Sequence, residues 1–402
     1  MSMIIADFRN RIVNLQPVDL FQYEDEIPEF KLLHGCEQSP EHHAEGNVLI
    51  HCNMAGQIVL QLIEAENIKE EYKVLLYIAT ILHDIGKPCT SVFNAKKNKI
   101  TAYGHDDAGV PIANEFLKKY FPEFHYKQRE LVCRLIEQHM HPRMWIKDGT
   151  ATVIKLKMLS LTVNTKLLYV LSQADTLGRT AKDMNGSMSL LELFKQNCED
   201  LGIWDRPYRV PLATHLDNAS YSLARWNILI HKAPEDLDTY DAAQETMVQP
   251  PKPNFQLMLL IGAPGSGKST VREQLVAKYP GIKVISMDER RKELTGDANN
   301  QSRNNEVFGW QQKELRKAME ARQNTIVDAT NTSRKLRRVL WDIARENGAL
   351  CSAIYFDLPL AVLLERNASR EKRVPDSVVE RFYNTMQSVL PYEADQVLII
   401  DK

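Results

Sequence analysis

Histidine and aspartate side chains in the first half of the chain have the types and spacing of metal ligands. All 11 histidines of the 402-residue chain precede residue 255. His83 and Asp84 are adjacent, while His51 and Asp175 lie upstream and downstream in apolar stretches with helical spacing. Buried charge in such helices is costly unless it is paired or bound to a metal. Imidazole and carboxylate together suit Mn²⁺, Fe²⁺, Co²⁺, Ni²⁺ or Zn²⁺, although an isolated His-Asp pair would equally fit a capped helix end.

A glycine-rich loop in the second half of the chain has the residues of an ATP site. Gly262-Ala-Pro-Gly-Ser-Gly-Lys268-Ser269-Thr270 follows an apolar run and precedes a plausible helix, which is the context that a phosphate-binding loop requires. Backbone N–H groups at such a helix N-terminus bind phosphate. Lys268 is expected to bridge the β- and γ-phosphates, and Ser269 to ligate Mg²⁺. The predicted nucleotide-binding residues are Gly262, Pro264, Gly265, Ser266, Gly267, Lys268, Ser269 and Thr270.

The residues after this loop favour phosphoryl transfer to a hydroxyl group. Asp288 and Arg291 follow a predicted strand, where an Asp can accept a hydroxyl proton and an Arg can hold a phosphate; a helix cap with a surface arginine is the alternative. Arginines 366, 370 and 373 would share one face of a helix and could form a lid over the phosphates, or a solvated basic face. Neither an Asp-Glu pair after Val327 nor an Asn-Lys-x-Asp motif is found, which argues against mechanical ATPases and GTP switches.

Periodicity divides the chain into two structural classes. The first half has mostly helical spacing, whereas five short apolar runs after residue 255 alternate with amphipathic stretches, which predicts βα units on a parallel sheet. Three prolines within 248–254 predict an extended linker. We therefore expect a multidomain chain: an all-α domain over 1–185, a helical extension and linker over 186–250, with a helix over 221–230, and an α/β domain with a parallel sheet over 251–402.

Composition places limits on compartment and partners. The six scattered cysteines include no Cys-x-x-Cys pair, and neither a signal peptide nor a membrane-spanning helix is expected, so we predict a cytoplasmic protein without a membrane partner. From residue 255 onwards, 23 Lys and Arg oppose 19 Asp and Glu, an excess that permits an anionic substrate but does not require one. An oligomer is compatible with this composition.

The motifs of the second half resemble those of the 5′-OH polynucleotide kinase family. Gly-Ala-Pro-Gly-Ser-Gly-Lys-Ser-Thr, Ser286-Met-Asp288-Glu-Arg-Arg291, Asp328-Ala-Thr-Asn331 and the segment from Arg366 to Pro375 carry this resemblance. It implies that Asp288 is the general base and that Arg291 contacts the acceptor phosphate. Lid arginines, for which we favour Arg370 and Arg373, would contact the phosphates of ATP. Asp328 and Asn331 are expected mainly to orient the site.

The first half resembles the HD-domain metal phosphohydrolases over about residues 40 to 185. The resemblance implies His51, His83, Asp84 and Asp175 as metal ligands, with His105 and His139 as ligands of a second metal or contacts to phosphate. It also suggests that Lys87 neutralises phosphate, although a solvated lysine is the alternative. The remaining histidines of this stretch are expected to be structural or on the surface: His42, His43, His125 and His141.

Together the two resemblances match the bifunctional bacterial RNA end-healing enzymes. They imply ATP-dependent phosphorylation of a 5′-OH end, and removal of a 2′,3′-cyclic phosphate or 2′-phosphate by the HD half with Mn²⁺, Ni²⁺ or Co²⁺. The expected substrates are RNA or DNA ends. A separate RNA ligase would act downstream, because no nucleotidyl-lysine ligase motif is found. The alternatives are an HD nucleotidase fused to a nucleoside or sugar kinase, and a nucleotide sensor without catalysis.

Overall fold

The chain forms two compact units, Met1–Arg209 and Val210–Lys402, and each is described by itself. The computed structural model describes residues 2–41, 43–181, 184–208, 254–297, 300, 302–370, 373–390 and 392–401. The predicted helix over 221–230 lies outside these residues, as does the predicted linker over 248–254 except for Asn254. Residues 186–208, expected in a helical extension, belong to the first unit.

The first unit is built from helices and one short hairpin. The helices are α1 (Met3–Val13), α2 (Pro28–His34), α3 (Val48–Ala65), α4 (Glu70–Leu82), α5 (Lys87–Thr90), α6 (His105–Tyr120), α7 (Tyr126–Gln138), α8 (His141–Lys147), α9 (Val153–Ser160), α10 (Thr165–Leu177) and α11 (Met184–Asp200). A 3₁₀ turn covers Leu20–Tyr23. The helical class predicted for this half is confirmed.

Side-chain caps fix where the two long core helices begin. The Asn47 side chain accepts a hydrogen bond from the backbone N–H of Ile50 at the start of α3. Asn164 accepts from the N–H groups of Lys166 and Leu167 at the start of α10. Such caps satisfy donors that have no partner inside the helix. By fixing the first residue of each helix, they also determine that His51 and Asp175 lie on the face directed to the interior.

Helices α3, α4 and α10 pack against one another in the centre of the first unit. Every residue of α4 from Leu75 to Leu82 is buried. By length and composition α3 could cross a membrane, with a mean hydropathy of 1.3 over Val48–Ala65, but 44% of it is buried inside this unit. Gly178 ends α10 against α3: a Cβ there would lie 2.7 Å from the backbone nitrogen of Ala55, so the two helices can approach this closely only at a glycine.

A two-stranded antiparallel hairpin interrupts the helical unit and was not predicted. Its strands are β1 (Val92–Asn94) and β2 (Lys99–Thr101), with Phe93 opposite Ile100. The turn between them includes Asn98 with a φ of 48°, a conformation that asparagine tolerates. The β-branched residues on both sides of this turn are the signal that could have indicated the hairpin.

Helix α11 completes the core of the first unit. Its buried residues Leu191, Phe194 and Cys198 belong to the same apolar cluster as those of α3, α4 and α10. The helix packs on α8 and α10. The first core therefore continues beyond residue 185, where the sequence indicated a boundary.

The second unit contains a five-stranded parallel sheet. Its strands β3 (Gln256–Ile261), β4 (Lys283–Ser286), β5 (Thr325–Asp328), β6 (Leu350–Phe356) and β7 (Gln396–Ile400) lie in the order β4-β5-β3-β6-β7. All five were predicted from the sequence. The buried faces of β3, β5 and β6 are rich in aliphatic residues, as expected for central strands covered on both sides.

The helices of the second unit connect these parallel strands. They are α12 (Lys268–Lys278), α13 (Met287–Thr295), α14 (Asn304–Glu320), α15 (Arg334–Glu346), α16 (Leu360–Ala368) and α17 (Asp376–Asn384). The chain runs from β3 to β4 on one side of the sheet, whereas it runs from β5, the neighbour of β3, to β6 on the other side of β3. Ligands of such sheets bind where the connections of two neighbouring strands diverge in this way. The glycine-rich loop follows β3 directly.

Candidate functional site

Six predicted metal-ligand residues converge in the interior of the first unit: His51, His83, Asp84, His105, His139 and Asp175, all of them buried. The Nε2 atoms of His51 and His83 are 3.1 Å apart, and His51 Nε2 lies 3.1 Å from Asp175 Oδ1. Helix α3 supplies His51, α10 supplies Asp175, and His83 follows the last residue of α4. The residues are 124 positions apart in sequence at the extremes, so the packing of the core helices assembles the cluster.

Asp84 lies between two groups of imidazoles. Its Oδ2 is 3.3 Å from His83 Nε2 and 3.6 Å from His51 Nε2. Its Oδ1 is 3.2 Å from His105 Nε2 and 3.9 Å from His139 Nε2. One carboxylate thus faces two potential ligand sets, His51–His83–Asp84 and Asp84–His105–His139, and has the position of a group that could bridge two metal ions.

Each of the four imidazoles presents Nε2 to the cluster because its Nδ1 donates a hydrogen bond to a backbone carbonyl. His51 bonds Gly178 O at 3.1 Å, and His83 bonds Thr80 O at 2.7 Å. The other two bonds join His105 to Ala102 O at 2.7 Å and His139 to Ile136 O at 2.6 Å. A carbonyl can only accept, so these bonds place the proton on Nδ1 and leave a lone pair on Nε2, which is the arrangement of metal-binding histidines.

The electrostatics of the cluster favour a bound cation. Burial lowers the pKa of His83, but the carboxylates of Asp84 and Asp175 outweigh burial and raise that pKa to about 10. Burial raises the pKa of Asp84, yet Lys87 and His83 hold it well below its usual value. Without a metal, the two carboxylates therefore favour a proton on His83, inside a cluster of imidazole nitrogens. A divalent ion fits this donor set of imidazole and carboxylate.

Three basic side chains surround the cluster. Lys87 Nζ lies 2.6 Å from Asp84 Oδ2, so Lys87 contacts the cluster and is not a solvated lysine. Arg179 Nη2 donates to Asp175 Oδ2 at 2.7 Å. Arg143 interacts electrostatically with Arg179, Asp175 and Asp84, and burial lowers the pKa of its guanidinium. Its Nη1 is shielded from solvent and has no hydrogen-bond partner among the described residues. Sequence reasoning missed both arginines.

A second set of contacts lies on the Nδ1 side of the His51 ring, opposite the Nε2 atom that faces the cluster. Glu45, which sequence reasoning also missed, accepts from the backbone N–H of Thr180 at 2.7 Å and pairs with His43 Nδ1 at 2.8 Å. The same carboxylate oxygen lies 3.4 Å from His51 Nδ1. Burial lowers the pKa of His43 to about 4, and its ring centroid is 4.8 Å from that of His51. His43, which we expected to be structural or on the surface, therefore lies among the contacts around His51.

The other histidines expected to be structural differ in environment. His125 forms a capping box with Gln128 at the start of α7. His141 stacks on Trp145 with ring centroids 4.2 Å apart. His42 lies outside the described residues. Neither His125 nor His141 belongs to a potential metal-binding group among the described residues.

The glycine-rich loop of the second unit joins β3 to α12. Gly265 has a φ of 85°, and a Cβ there would lie 2.6 Å from the carbonyl oxygen of Leu363, so the loop can follow this path only with glycine. Ser266 is buried, while Ser269 and Thr270 are exposed in the first turn of α12. The loop therefore presents a helix N-terminus next to two accessible hydroxyl groups, as phosphate and Mg²⁺ binding require.

The Lys268 side chain is folded back onto this loop. Its Nζ donates to Gly262 O and Ala263 O, both at 2.8 Å. Burial lowers the pKa of Lys268 to about 8, and the charges of Asp328, Asp288 and Arg370 also act on it. Lys268 must leave the two carbonyls to contact a nucleotide phosphate.

The predicted base and phosphate-binding residues lie side by side on α13. The Arg291 guanidinium pairs with the carboxylate of Asp288 and donates from Nε to Asn304 Oδ1 at 3.0 Å. Asp288 is 73% exposed at the side chain and is therefore open to an acceptor substrate. Asp328, at the end of β5, accepts from Arg272 Nη1 at 2.9 Å, and burial raises its pKa.

Asn331 connects the ends of two central strands. Its Nδ2 donates to Leu260 O of β3 at 2.8 Å, and its own carbonyl accepts from Arg337 Nη1 at 2.9 Å. The residue has a φ of 48°. These contacts hold the turn after β5 against the strand that leads into the glycine-rich loop, in agreement with the orienting role expected for it.

The prediction of one helix carrying three lid arginines is wrong. Helix α16 ends at Ala368, so it includes Arg366 but neither Arg370 nor Arg373. Buried Asn367 ends it by hydrogen bonding both the N–H and the carbonyl of Val374, and a residue before proline disfavours helix. Arg373 pairs with Asp376 at 2.6 Å. The positive charge of Arg370 lowers the pKa of Lys268. Residues 371–372 lie outside the described part of the chain.

Comparisons with known families agree with the division of the chain into a helical unit and a unit with a parallel sheet. Residues 48–180 match the HD domain, and residues 257–390 match the AAA domain. The first range contains all six residues of the buried cluster. The second contains the glycine-rich loop, Asp288, Arg291 and Arg370.

Individual relatives match one part of the chain each. The L-seryl-tRNA(Sec) kinase of Methanococcus maripaludis is 28% identical over 141 residues, 32% of this chain and 51% of that protein. The Multifunctional CCA protein of Halorhodospira halophila is 29% identical over 130 residues, 32% of this chain and 28% of that protein. The chain thus spans about half or less of these relatives.

A solved structure of the Pnkp1/Rnl/Hen1 RNA repair complex is also similar. Its sequence identity is 27%, its TM-score is 0.29, and the match covers 33% of this chain and 43% of that one. The family matches, the helical unit with its buried cluster and the parallel sheet with its glycine-rich loop agree on one organisation: this chain carries an HD domain followed by a P-loop kinase domain.

Proposed function

We propose that this chain is an RNA end-healing enzyme with two independent active sites. The kinase domain would phosphorylate a 5′-OH end with ATP and Mg²⁺, and the HD domain would remove a 2′,3′-cyclic phosphate or 2′-phosphate. The observation that carries the proposal is the presence, in one chain, of a buried His-Asp cluster and a phosphate-binding loop next to the Asp288–Arg291 pair. These two chemistries repair the two ends of one broken strand.

In the HD domain, the proposed metal ligands are His51, His83, Asp84 and Asp175, with His105 and His139 able to hold a second ion. A divalent metal such as Mn²⁺, Ni²⁺ or Co²⁺ lowers the pKa of a bound water and polarises the P–O bond. The chain contributes the orientation of the ligands through the four Nδ1–carbonyl bonds. Lys87, Arg143 and Arg179 offer positive charge to the phosphate of the substrate.

In the kinase domain, Asp288 is the proposed general base for the 5′-hydroxyl group. Its pairing with Arg291 brings a guanidinium to the place where an acceptor phosphate would bind. Lys268 and Arg370 would stabilise negative charge on the phosphates that are transferred. Ser269 would ligate Mg²⁺. Arg373, which pairs with Asp376, would have to exchange that partner to join the lid.

A small-molecule kinase fused to a nucleotidase is the competing function. The exposure of Asp288 favours a large acceptor, because kinases of small hydroxyl compounds enclose them in a pocket. One relative is named for an action on tRNA, as L-seryl-tRNA(Sec) kinase, which also supports an RNA-linked hydroxyl group. We further propose a cytoplasmic location and a separate RNA ligase that seals the healed ends.

The test uses one substrate whose two ends report the two proposed activities. The full chain is incubated with ATP, Mg²⁺ and Mn²⁺, Ni²⁺ or Co²⁺, and an oligoribonucleotide that has a 5′-OH and a 2′,3′-cyclic phosphate; a deoxyoligonucleotide with a 5′-OH runs in parallel. Mass spectrometry reports each end. The proposal requires a gain of phosphate at the 5′ end and a loss of it at the other. Phosphorylation of free nucleosides or sugars with both oligonucleotide ends unchanged would overturn it.

A further inference from the structure

We infer that the β1–β2 hairpin of the HD domain binds the single-stranded nucleic acid whose end enters the metal cluster. This inference rests on the proposed function and names the surface that would distinguish a polynucleotide end from a mononucleotide. The surface consists of Phe93, Tyr103 and Lys96, together with Lys97. We call it the hairpin surface.

The chain connections of the hairpin keep it next to the cluster. It begins after α5, whose first residue, Lys87, has its Nζ 2.6 Å from Asp84 Oδ2. It is followed directly by Ala102, whose carbonyl accepts from His105 Nδ1, and His105 Nε2 lies 3.2 Å from Asp84 Oδ1. Two residues span at most about 7 Å, so Tyr103 cannot be remote from His105. Both ends of the hairpin are therefore fixed to residues that contact the same carboxylate.

The apolar side chains of the hairpin are exposed instead of packed. Phe93 is 66% exposed and Tyr103 is 69% exposed. Both rings are therefore available for contact with a bound partner. Aromatic rings beside a phosphate-processing site are suited to stack on nucleobases, since every base offers a π face.

The charge of the hairpin complements a nucleic acid. Residues 91–104 contain three lysines and no acidic residue. Lys99 pairs with Glu41 at 2.8 Å, whereas Lys96 makes no ion pair with the described residues. Lys97 Nζ lies 2.6 Å from the Tyr103 hydroxyl and 5.2 Å from its ring centroid, which holds a cation at the edge of the exposed ring. Exposed aromatic and basic side chains in one short segment favour a strand that offers bases and phosphates together.

The experiment compares two substrates of the full chain. One is an oligoribonucleotide with a 5′-phosphate, which the kinase domain cannot use as an acceptor, and a 2′-phosphate at its other end. The other is p-nitrophenyl phosphate, which lacks a base and a strand. Phe93→Ala and Tyr103→Ala are each expected to raise KM for the oligonucleotide about tenfold, the loss of one stacking contact. Hydrolysis of p-nitrophenyl phosphate should stay within about twofold of the unchanged protein.

Matched variants make the result specific. Leu32→Ala removes an apolar side chain of similar exposure, 62%, from α2 of the same unit and should leave both KM values unchanged. Phe93→Tyr keeps a ring and should restore oligonucleotide binding. Equal losses on both substrates, or an oligonucleotide KM that changes no more than in Leu32→Ala, would overturn the inference while the proposed function stands. If the unchanged protein hydrolyses p-nitrophenyl phosphate and mononucleotides but no oligonucleotide end, the proposed function itself fails.

Discussion

His83 and His139 occupy equivalent positions on two different helices. Each is the first residue after its helix, α4 for His83 and α7 for His139, and each donates its Nδ1–H to the carbonyl three residues earlier, at 2.7 and 2.6 Å. Their ring centroids are 5.2 Å apart. The last carbonyls of a helix have no partner within it, so each helix end both satisfies a carbonyl and points an Nε2 lone pair into the cluster.

Binding of a divalent metal at this cluster should stabilise the protein, and Asp84 should be required for it. A ligand at about 100 times its Kd stabilises the folded state by roughly 2.7 kcal/mol. Mn²⁺ added to metal-free protein is therefore expected to raise the melting temperature of one unfolding transition. Asp84→Asn should abolish this rise and the hydrolase activity, and it should leave 5′ phosphorylation intact.

Asp25 provides the control for this substitution because its side chain is 90% exposed. Asp25→Asn should keep the full response to Mn²⁺, with metal content measured by mass spectrometry. An Asp84→Asn protein that bound Mn²⁺ as tightly as the unchanged chain would contradict the assignment of this cluster. Loss of kinase activity in the same variant would contradict the independence of the two sites.

Glu45 should tune metal affinity without touching the metal itself. It lies behind His51, at 3.4 Å from Nδ1, and groups in this position orient the imidazole. Their loss typically weakens metal binding about 10- to 100-fold. Glu45→Gln is expected to raise the Kd for Mn²⁺ within this range in a direct titration, and excess Mn²⁺ should restore the rate of phosphate hydrolysis.

The comparison for Glu45 is Glu64, which is 73% exposed and pairs with Lys73. Glu64→Gln should leave the Kd for Mn²⁺ unchanged. If Glu45→Gln lowered the hydrolysis rate and saturating Mn²⁺ did not recover it, Glu45 would act in catalysis instead of in positioning.

The sequence predicts the residues of the His-Asp cluster better than it predicts the side chains around that cluster. His51, His83, Asp84 and Asp175 stand out because polar residues interrupt strongly apolar helices, and the five strands of the sheet stand out as apolar runs. Glu45 carries no such signal, since it lies in a polar stretch that resembles ordinary surface. Arg143 is a single arginine in the short helix α8, and its spacing from the predicted ligands indicates no role. Only tertiary packing brings them to the cluster. The prediction of one helix with three lid arginines was wrong for a related reason. The buried side chain of Asn367 bonds Val374 and ends α16, and helical periodicity gives no indication of such a contact.

Arg143 should bind the phosphate of the hydrolase substrate. Its Nη1 is shielded from water without a hydrogen-bond partner among the described residues, and Arg179 is one of the charges acting on it. Two guanidinium groups in a partly buried site repel one another, so an anion bound beside them is favoured. Arg143→Met is expected to raise KM for p-nitrophenyl phosphate about tenfold, since a hydrogen bond to a charged group contributes roughly 1.5–3 kcal/mol.

Stability separates this role from a structural one. Removing a partly buried guanidinium whose Nη1 has no hydrogen-bond partner among the described residues should leave the melting temperature of the metal-free protein unchanged or slightly higher. The Kd for Mn²⁺ should also stay unchanged. A variant with a normal KM, or one with a lowered melting temperature and weaker Mn²⁺ binding, would show that Arg143 supports the fold and not the substrate.

Asp288 should be needed for phosphoryl transfer but not for ATP binding. A positioned general base contributes about 10²–10⁴-fold to the rate, so Asp288→Asn is expected to lower kcat for 5′ phosphorylation by that factor. The Asp288 carboxylate bonds Arg291 and, among the described residues, makes no hydrogen bond to the glycine-rich loop, so KM for ATP should change by less than about threefold. Glu293→Gln is the matched control on the same helix, because Glu293 is 63% exposed and pairs with Arg290 three residues earlier, just as Asp288 pairs with Arg291 three residues later. Hydrolysis at the HD domain should be normal in both variants. A kcat for Asp288→Asn equal to that of Glu293→Gln would mean that another group accepts the hydroxyl proton.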